Sequence, residues 1–249
     1  MGQAPLKTLL KFLLPARCLM CREVIEEEGH ICASCWGELT FLSGARCNRC
    51  GIPFDIIDLE NGSDENSDSL TCPSCFKDPP PFHCALSSLL YDDKSKDLIL
   101  RFKHGDATHM APAFGQWLAK AGKDILERTD YLVPVPLHWK RLLKRQYNQA
   151  ALLVNALEKT CAIPALLEGL ERTAHTPTQG YLTKAERHQN VSGKFVVPSK
   201  NIDFVNKKVI TIIDDVYTSG ATVKACAAAL KKAGADEINV LTLARVARL

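Results

Sequence analysis

Residues Val209 to Cys226 read V-I-T-I-I-D-D-V-Y-T-S-G-A-T-V-K-A-C. The apolar run Val209–Ile213 is expected to be a strand buried on both faces, as in the interior of a parallel sheet. Two adjacent carboxylates, Asp214 and Asp215, follow at its predicted end. Thr218, Ser219, Gly220, Ala221 and Thr222 then lead into an Ala-rich helix predicted over 222–233 and stopped by Gly234. In open α/β sheets, ligands gather at the carboxyl ends of strands. A glycine-containing loop that enters a helix aims backbone N–H groups and the positive helix end at an anion. The hydroxyls of Thr218, Ser219 and Thr222 add donors, so the loop suits a monophosphate. Carboxylates are poor phosphate ligands but good acceptors for two vicinal hydroxyls. The order therefore asks for a ribose with a phosphate at one end. A capped turn and an ordinary loop would account for either half alone.

The whole run resembles the type I phosphoribosyltransferase signature, in which four apolar and two acidic residues precede a T-T-G-x-T-like loop. Ser219 replaces the second Thr and keeps the hydroxyl. The resemblance implies 5-phosphoribosyl diphosphate (PRPP) with Mg²⁺ on its pyrophosphate. It makes Asp214 and Asp215 the candidate catalytic pair on the ribose hydroxyls, and Thr218, Ser219, Gly220, Ala221 and Thr222 the 5-phosphate cradle. The chain has no G-x-x-x-x-G-K-[ST] and no G-x-G-x-x-G after a strand, which argues against an NTPase or a dinucleotide site.

Outward from this run, strand-like and helix-like patterns alternate from about Phe82 onward. Strands are predicted at 85–91, 131–135, 196–197, 208–213 and 237–244, and helices at 94–102, 110–126 and 139–160. Such alternation implies an α/β domain with a largely parallel sheet. Leu132–Leu137 reads as a strand and a pyrophosphate loop. Along the helix predicted at 139–160, Lys140, Lys144 and Asn148, and beside them Arg141, Arg145 and Gln149, form two i,i+4 rows suited to several phosphates. A solvated helix face is the plain alternative. Glu171–Asn190 is polar and carries Pro177 and Gly180, so a hood over the site is expected, with Arg172 and Arg187 as its phosphate or base contacts. His175 reads as a surface residue. Lys103 is a further phosphate candidate.

The N-terminal part is of another kind. Eight of eleven cysteines form C-x-x-C pairs: Cys18/Cys21, Cys32/Cys35, Cys47/Cys50 and Cys72/Cys75. Paired thiolates at this spacing present two sulfurs to one metal ion. All-thiolate tetrahedral sites suit Zn²⁺, and eight ligands make two sites. Sequential pairing is preferred because 10 residues separate the first two knuckles, a comfortable ribbon hairpin. An interleaved cross-brace stays open. Cys84, Cys161 and Cys226 lack a partner at ligand spacing and read as buried thiols. Metal-binding thiols belong in a reducing compartment, so a cytoplasmic protein is expected.

The reading divides the chain into a Cys-rich zinc-ribbon domain at 1–78 and an α/β domain at 82–249, joined by Pro79-Pro80-Pro81. Net charge is +3 over 249 residues, but Asp55–Ser69 carries six acidic residues and no Lys or Arg, leaving +9 on the rest. A basic body favours anionic partners. The acidic segment reads as a solvated loop. No apolar run is long enough to span a bilayer. Pro5–Pro15 reads as a short amphipathic helix, with peripheral contact at the inner membrane as the minority reading.

The full order of motifs narrows the resemblance. The Cys pairs are followed by F-K-H-G at Phe102, V-P-V-P-L-H-W-K-R-L-L-K-R-Q-Y-N-Q-A at Val133, R-T-A-H-T-P-T-Q at Arg172, K-A-E-R-H-Q-N-V-S-G-K-F at Lys184 and the Asp-Asp loop. Nearly the whole chain, Leu9 to Arg245, is similar to the ComF family, the ComFC/GntX-type phosphoribosyltransferase-like group of bacteria. Gln146 stands where the family pattern has Gly, Thr173 where it commonly has Arg, and Phe102-Lys103 departs from the usual K-Y order. The resemblance implies a type I phosphoribosyltransferase-like sheet behind a small double zinc ribbon. It also implies a role in natural transformation, with single-stranded DNA and other competence proteins, such as a DNA translocase, as partners. Aromatic platforms for bases would be Trp36, Phe41, Phe54, Trp139 and Tyr147, although core packing explains each one singly. An active phosphoribosyltransferase with an unidentified acceptor, and a non-catalytic phosphoribosyl sensor, are the alternatives.

Overall fold

The computed structural model describes residues 15–54, 70–104, 107–138, 142, 146–173 and 193–247. The N-terminal helix at 5–15 (but for Pro15), the acidic loop at 55–69 (all fifteen positions) and most of the hood, 174–190, lie outside these residues.

Four parallel strands form the central sheet in the order β1-β6-β5-β2: β1 Cys84–Leu90, β2 Tyr131–Pro134, β5 Val209–Tyr217 and β6 Glu237–Arg245. A separate antiparallel pair, β3 Glu171–Arg172 and β4 Phe195–Val196, makes the neck from which the predicted hood leaves and to which it returns. Besides shorter helical turns, the longer helices among the described residues are α1 Asp93–His104, α2 Ala111–Ala121, α3 Gln149–Cys161 and α4 Ala221–Lys232. Side chains from α1, α2 and α3 join one face of the sheet in a core that includes Phe102, Phe114, Leu153 and Ile213. Side chains from α4 and β4 join the other face, around Ile210, Ile212, Cys226 and Leu230. Both faces of β5 are thus covered, which is why its run is apolar without alternation. Burying a side chain such as Phe102 or Ile212 completely contributes roughly 1.5–3 kcal/mol each. Polar residues of the inner strands pair rather than protrude: Thr211 Oγ1 lies 2.7 Å from Thr129 Oγ1, and Thr242 Oγ1 lies 2.6 Å from Ser87 Oγ.

Two sequence expectations change. The strand predicted to end before the carboxylates runs on to Tyr217, with Asp214 opposite Thr242 and Tyr217 opposite Arg245. Successive strand residues point to opposite faces. Asp215 therefore turns towards α1 while Asp214 turns towards α4.

The second change concerns the helix predicted from 139. It begins at Gln149, with Asn148 as its N-cap, and the break is set by Gln146 at φ +65°. A left-handed residue cannot continue a right-handed helix, so no single helix runs through Gln146 to Asn148 and Gln149. Gln146 thus stands at a position whose backbone favours glycine.

The zinc-ribbon segment packs on the β1 edge and against both faces of the sheet. Phe41 bridges Leu89 antiparallel, and Leu42 N donates to Ser88 O at 2.9 Å, so the ribbon covers the open edge of β1. Leu19 and Leu39 enter the core on the α1–α3 face, while Cys47, Cys50, Cys72 and Cys75 enter the core on the α4 face. No helix among the described residues is long and apolar enough to cross a membrane.

Candidate functional site

A cavity of about 240 Å³ opens at the carboxyl ends of β2 and β5. Lys103, Asn148, Gln149, Arg172, Asp214 and Asp215 line it, together with Thr218 and Thr222. Pro136 and Leu137 of the predicted pyrophosphate loop form another wall. Tyr91, just past β1, also lines it, and no sequence motif marked that residue. Ser219 and Gly220 lie in the adjoining turn, whereas Ala221 is buried and faces a second cavity on the outer side of α4. Arg141, Arg145 and Arg187 lie outside the described residues.

Each wall has a local cause. Gly220 is the left-handed N-cap of α4 at φ +75°, and Ser219 Oγ accepts from Ala221 N at 3.5 Å. The N–H groups of the first helical turn have no intrahelical acceptor, so this turn offers donors at the positive helix end. The Lys103 ammonium lies 3.2 Å from Asp215 Oδ2. Asp215 N donates to Asp214 Oδ1 at 2.9 Å. The amides predicted to end a basic stripe are built in instead. Gln149 is only 1% exposed, and its Nε2 donates to Lys103 O at 3.0 Å. Asn148 Nδ2 donates to Val135 O at 3.1 Å while its Oδ1 caps α3 by accepting from Ala150 N at 3.0 Å. Tyr147 Oη donates to Phe102 O at 2.8 Å. The 147–149 segment thus fastens the end of α1 and the loop after β2, the two pieces that bring Lys103 and Pro136 to the cavity.

Arg172 enters the cavity from the neck, with its guanidinium 5.4 Å from the Phe195 ring centroid. Cys226 sits beneath the site, and burial pushes its thiol well above the ordinary range, with the Asp214 charge adding to the rise and Arg172 opposing it. It is an inert packing thiol. Cys84 and Cys161, read as buried from sequence, are only partly so, although burial still raises both.

The eight paired cysteines gather as Cys18, Cys21, Cys32, Cys35 and as Cys47, Cys50, Cys72, Cys75, with the sulfurs of each set within 4.8 Å of one another. The pairing is sequential. Sulfur separations of 3.6 Å for Cys21–Cys32 and 3.7 Å for Cys50–Cys72 match the edge of about 3.8 Å expected of a tetrahedron with Zn–S bonds of about 2.3 Å. Backbone N–H groups support the thiolates: Cys32 N donates to Cys18 Sγ, and Cys72 N to Cys47 Sγ, each at 3.3 Å. The clustered thiols titrate against one another. Burial pushes Cys35 and Cys75 up to about 12. Hydrogen bonding pulls Cys32 down to about 6, chiefly from Ser34, and Cys47 to about 4, chiefly from Cys50. Such a set holds four thiolates together only around a cation, and the donor set fits Zn²⁺.

Comparison with known proteins agrees. Residues 9–76 match the model of the double zinc ribbon domain. Competence protein F of Haemophilus influenzae is 29% identical over 235 residues, which is 92% of this chain and 96% of that protein. Competence protein ComFC of Bacillus subtilis is 25% identical, over 89% of this chain and 87% of that protein. This chain is a homologue of competence protein F and ComFC. The homology extends to DNA utilization protein YhgH of Escherichia coli, 28% identical over 93% of this chain and 98% of that protein. Among solved structures, glutamine PRPP amidotransferase of B. subtilis aligns at TM-score 0.37 and 19% identity, over 58% of this chain and 30% of that one. The fold expected from sequence, a parallel α/β sheet behind an N-terminal double zinc ribbon, is present.

Proposed function

We propose that this protein handles incoming single-stranded DNA during natural transformation, and that its cavity binds a phosphoribosyl ligand of the PRPP type with Mg²⁺. The observation that carries the ligand reading is the convergence of Asp214, Asp215, Lys103 and the Thr218–Thr222 turn on one cavity at the end of a parallel sheet. The N-terminus of α4 and the loop hydroxyls take the 5-phosphate. Asp214 and Asp215 accept from the ribose hydroxyls, and Lys103 and Arg172 face the pyrophosphate. Arg141, Arg145 and Arg187 are further phosphate contacts in this reading. Mg²⁺ bound with the pyrophosphate supplies charge neutralisation there. Asn148 and Gln149 act through the backbone they hold.

The DNA reading draws support from the relatives, whose names are competence protein F, ComFC and DNA utilization protein YhgH. It also draws on one surface. Trp36, on the first ribbon, is 45% exposed, stacks on Phe41 at 4.5 Å and meets Trp117 edge-on at 6.0 Å. A rigid, backed indole is a platform for an unpaired base. Phe76, beside Cys75 of the second ribbon, is 83% exposed and was not marked by the sequence reading. Tyr147 and Phe54 are partly buried, and Trp139 lies outside the described residues. This assignment places the protein in the cytoplasm, where a DNA translocase is a fitting partner and where the 5–15 segment, if helical as its sequence suggests, allows peripheral membrane contact.

The decisive experiment has three arms. PRPP with Mg²⁺ is titrated calorimetrically into the full chain and into the Asp214→Asn/Asp215→Asn variant, and binding by the wild type alone is expected. Affinity for a fluorescent oligonucleotide is then measured against salt. A steep fall is expected, and a flat profile removes the physical basis of DNA binding. Pyrophosphate release with a panel of acceptors decides between a transferase and a sensor: release supports the enzyme, and none across the panel supports the sensor.

A further inference from the structure

One charged group lies outside the site just described, and the proposed chemistry does not use it. Arg245 ends β6 and is only 5% exposed. Its Nη2 donates to Cys50 Sγ at 3.3 Å, across 195 residues of sequence. Its guanidinium carbon also lies over the Tyr217 ring, 4.2 Å from the centroid. Its Nε and Nη1 are buried with no hydrogen-bond partner among the described residues. None of the ion pairs among the described residues gives it a carboxylate. A guanidinium stays charged in any protein, and burying a charge is costly unless an opposite charge compensates. The second cysteine cluster is that charge. A zinc tetrathiolate carries a formal charge of about −2, and Cys50 is one of its four ligands.

The contacts continue past Arg245. Tyr217 is the last residue of β5 and is 4% exposed. Its hydroxyl lies where a Cβ on Gly220 would fall, 2.3 Å from that point. The ring is therefore the floor under the left-handed turn that starts α4. On the zinc side the ribbon is equally close: a Cβ on Gly51 would meet Ala85 O at 2.2 Å, and Ala85 N donates to Arg49 O at 2.8 Å. An unbroken series of close contacts runs from the Cys50 sulfur through Arg245 and Tyr217 to Gly220. Among the described residues the first cluster shows no such arrangement. Its Cys21 is exposed, and the nearby Arg101 donates from Nη1 to the Met20 carbonyl, not to a sulfur.

We propose that Arg245 is a positioning residue that couples zinc in the second ribbon to the turn at Gly220. The charge of the zinc tetrathiolate holds the guanidinium, the guanidinium holds the Tyr217 ring, and the ring sets the turn whose N–H groups face the cavity. Loss of zinc from this site loosens the turn, while loss from the first site does not. The ligand consequence rests on the phosphoribosyl reading above; the coupling itself does not.

The test uses the full zinc-loaded chain and the variants Arg245→Met and Arg245→Lys, with three readouts. Zinc transfer to a chromogenic chelator is expected in two phases, the exposed first site being fast. Arg245→Met speeds only the slow phase, by about tenfold or more, the usual scale for removing a group that supports a metal ligand. Arg245→Lys, which keeps the charge without the planar stack, falls between. Hydrogen exchange of the peptide spanning Tyr217–Thr222 rises in Arg245→Met, while the peptide spanning Cys18–Cys35 is unchanged. Ribose 5-phosphate binding, followed by calorimetry, weakens at least fivefold in the same variant. If wild type binds neither ribose 5-phosphate nor PRPP but the first two effects appear, the pocket assignment fails and the coupling stands. If zinc release and exchange match wild type in Arg245→Met, the coupling is overturned. Should Arg245→Met not fold, wild-type behaviour of Arg245→Lys in the zinc and exchange readouts overturns it, and intermediate behaviour supports it.

Discussion

Lys103, at the end of α1, and Asp215, in β5, are held 3.2 Å apart at the mouth of the cavity. Both are mostly buried, so their attraction is screened less than a surface pair. A ligand that takes the Asp215 carboxylate must also satisfy the ammonium, and an anionic ligand does so directly. Replacing Lys103 by Met removes one charge-assisted contact of about 1.5–3 kcal/mol. Affinity for PRPP with Mg²⁺ measured by calorimetry should fall about tenfold or more, with both zinc ions retained. Unchanged affinity would take Lys103 out of the site.

Gln146 adopts φ +65° where a side chain is strained. Left-handed backbone costs a non-glycine residue about 1–2 kcal/mol, partly offset by the greater chain entropy of glycine. Gln146→Gly should therefore stabilise the chain by about 0.5–1 kcal/mol, read as a higher urea midpoint at constant slope. A lower midpoint would mean that the Gln146 side chain makes contacts worth more than the strain.

Burial raises the Tyr217 hydroxyl from 10.0 to about 12, although Arg245 opposes the rise. The unfolded chain ionises first, so the stability contributed by the neutral phenol is present in full below about pH 10 and is lost as pH rises towards 12. An alkaline titration followed at the phenolate absorbance should show one of the five tyrosines titrating late, together with unfolding. If Tyr217→Phe leaves that late step in place, its assignment to Tyr217 is wrong.

Metal analysis should give two zinc ions per chain. Replacing Cys18 and Cys21 with Ser should reduce this to one and free Cys32 and Cys35 for thiol labelling. A cross-braced arrangement would free Cys47 and Cys50 for labelling instead. Because the ligands must lose protons, zinc affinity falls as pH falls.

Several features were legible because they are local. The β5–turn–α4 run writes its strand, loop hydroxyls, glycine turn and helix into one continuous stretch. The four C-x-x-C pairs likewise declare their chemistry by spacing alone. The interruption before α3 was missed because the helical pattern continues through Gln146, and a single left-handed residue leaves little trace in periodicity. Its one signal was the departure from the glycine of the family pattern. The burial of Gln149 was missed for the same reason, since its direction depends on where α3 starts.

By itself, then, the sequence determined the class of sheet, the two sets of thiolates and the chemistry of the Asp214–Thr222 stretch. Hydrophobic runs, knuckle spacing and turn residues act over a few bonds. Only the tertiary structure decided that the zinc sites pair sequentially and that Asp214 and Asp215 turn to opposite faces of β5. It alone decided that the 147–149 segment fastens backbone at the cavity. It also set Arg245 between Cys50 and Tyr217, beneath the turn on which the opening motif depends. Those outcomes rest on contacts between residues far apart in the chain, where burial of charge and close packing, not local preference, select the partner.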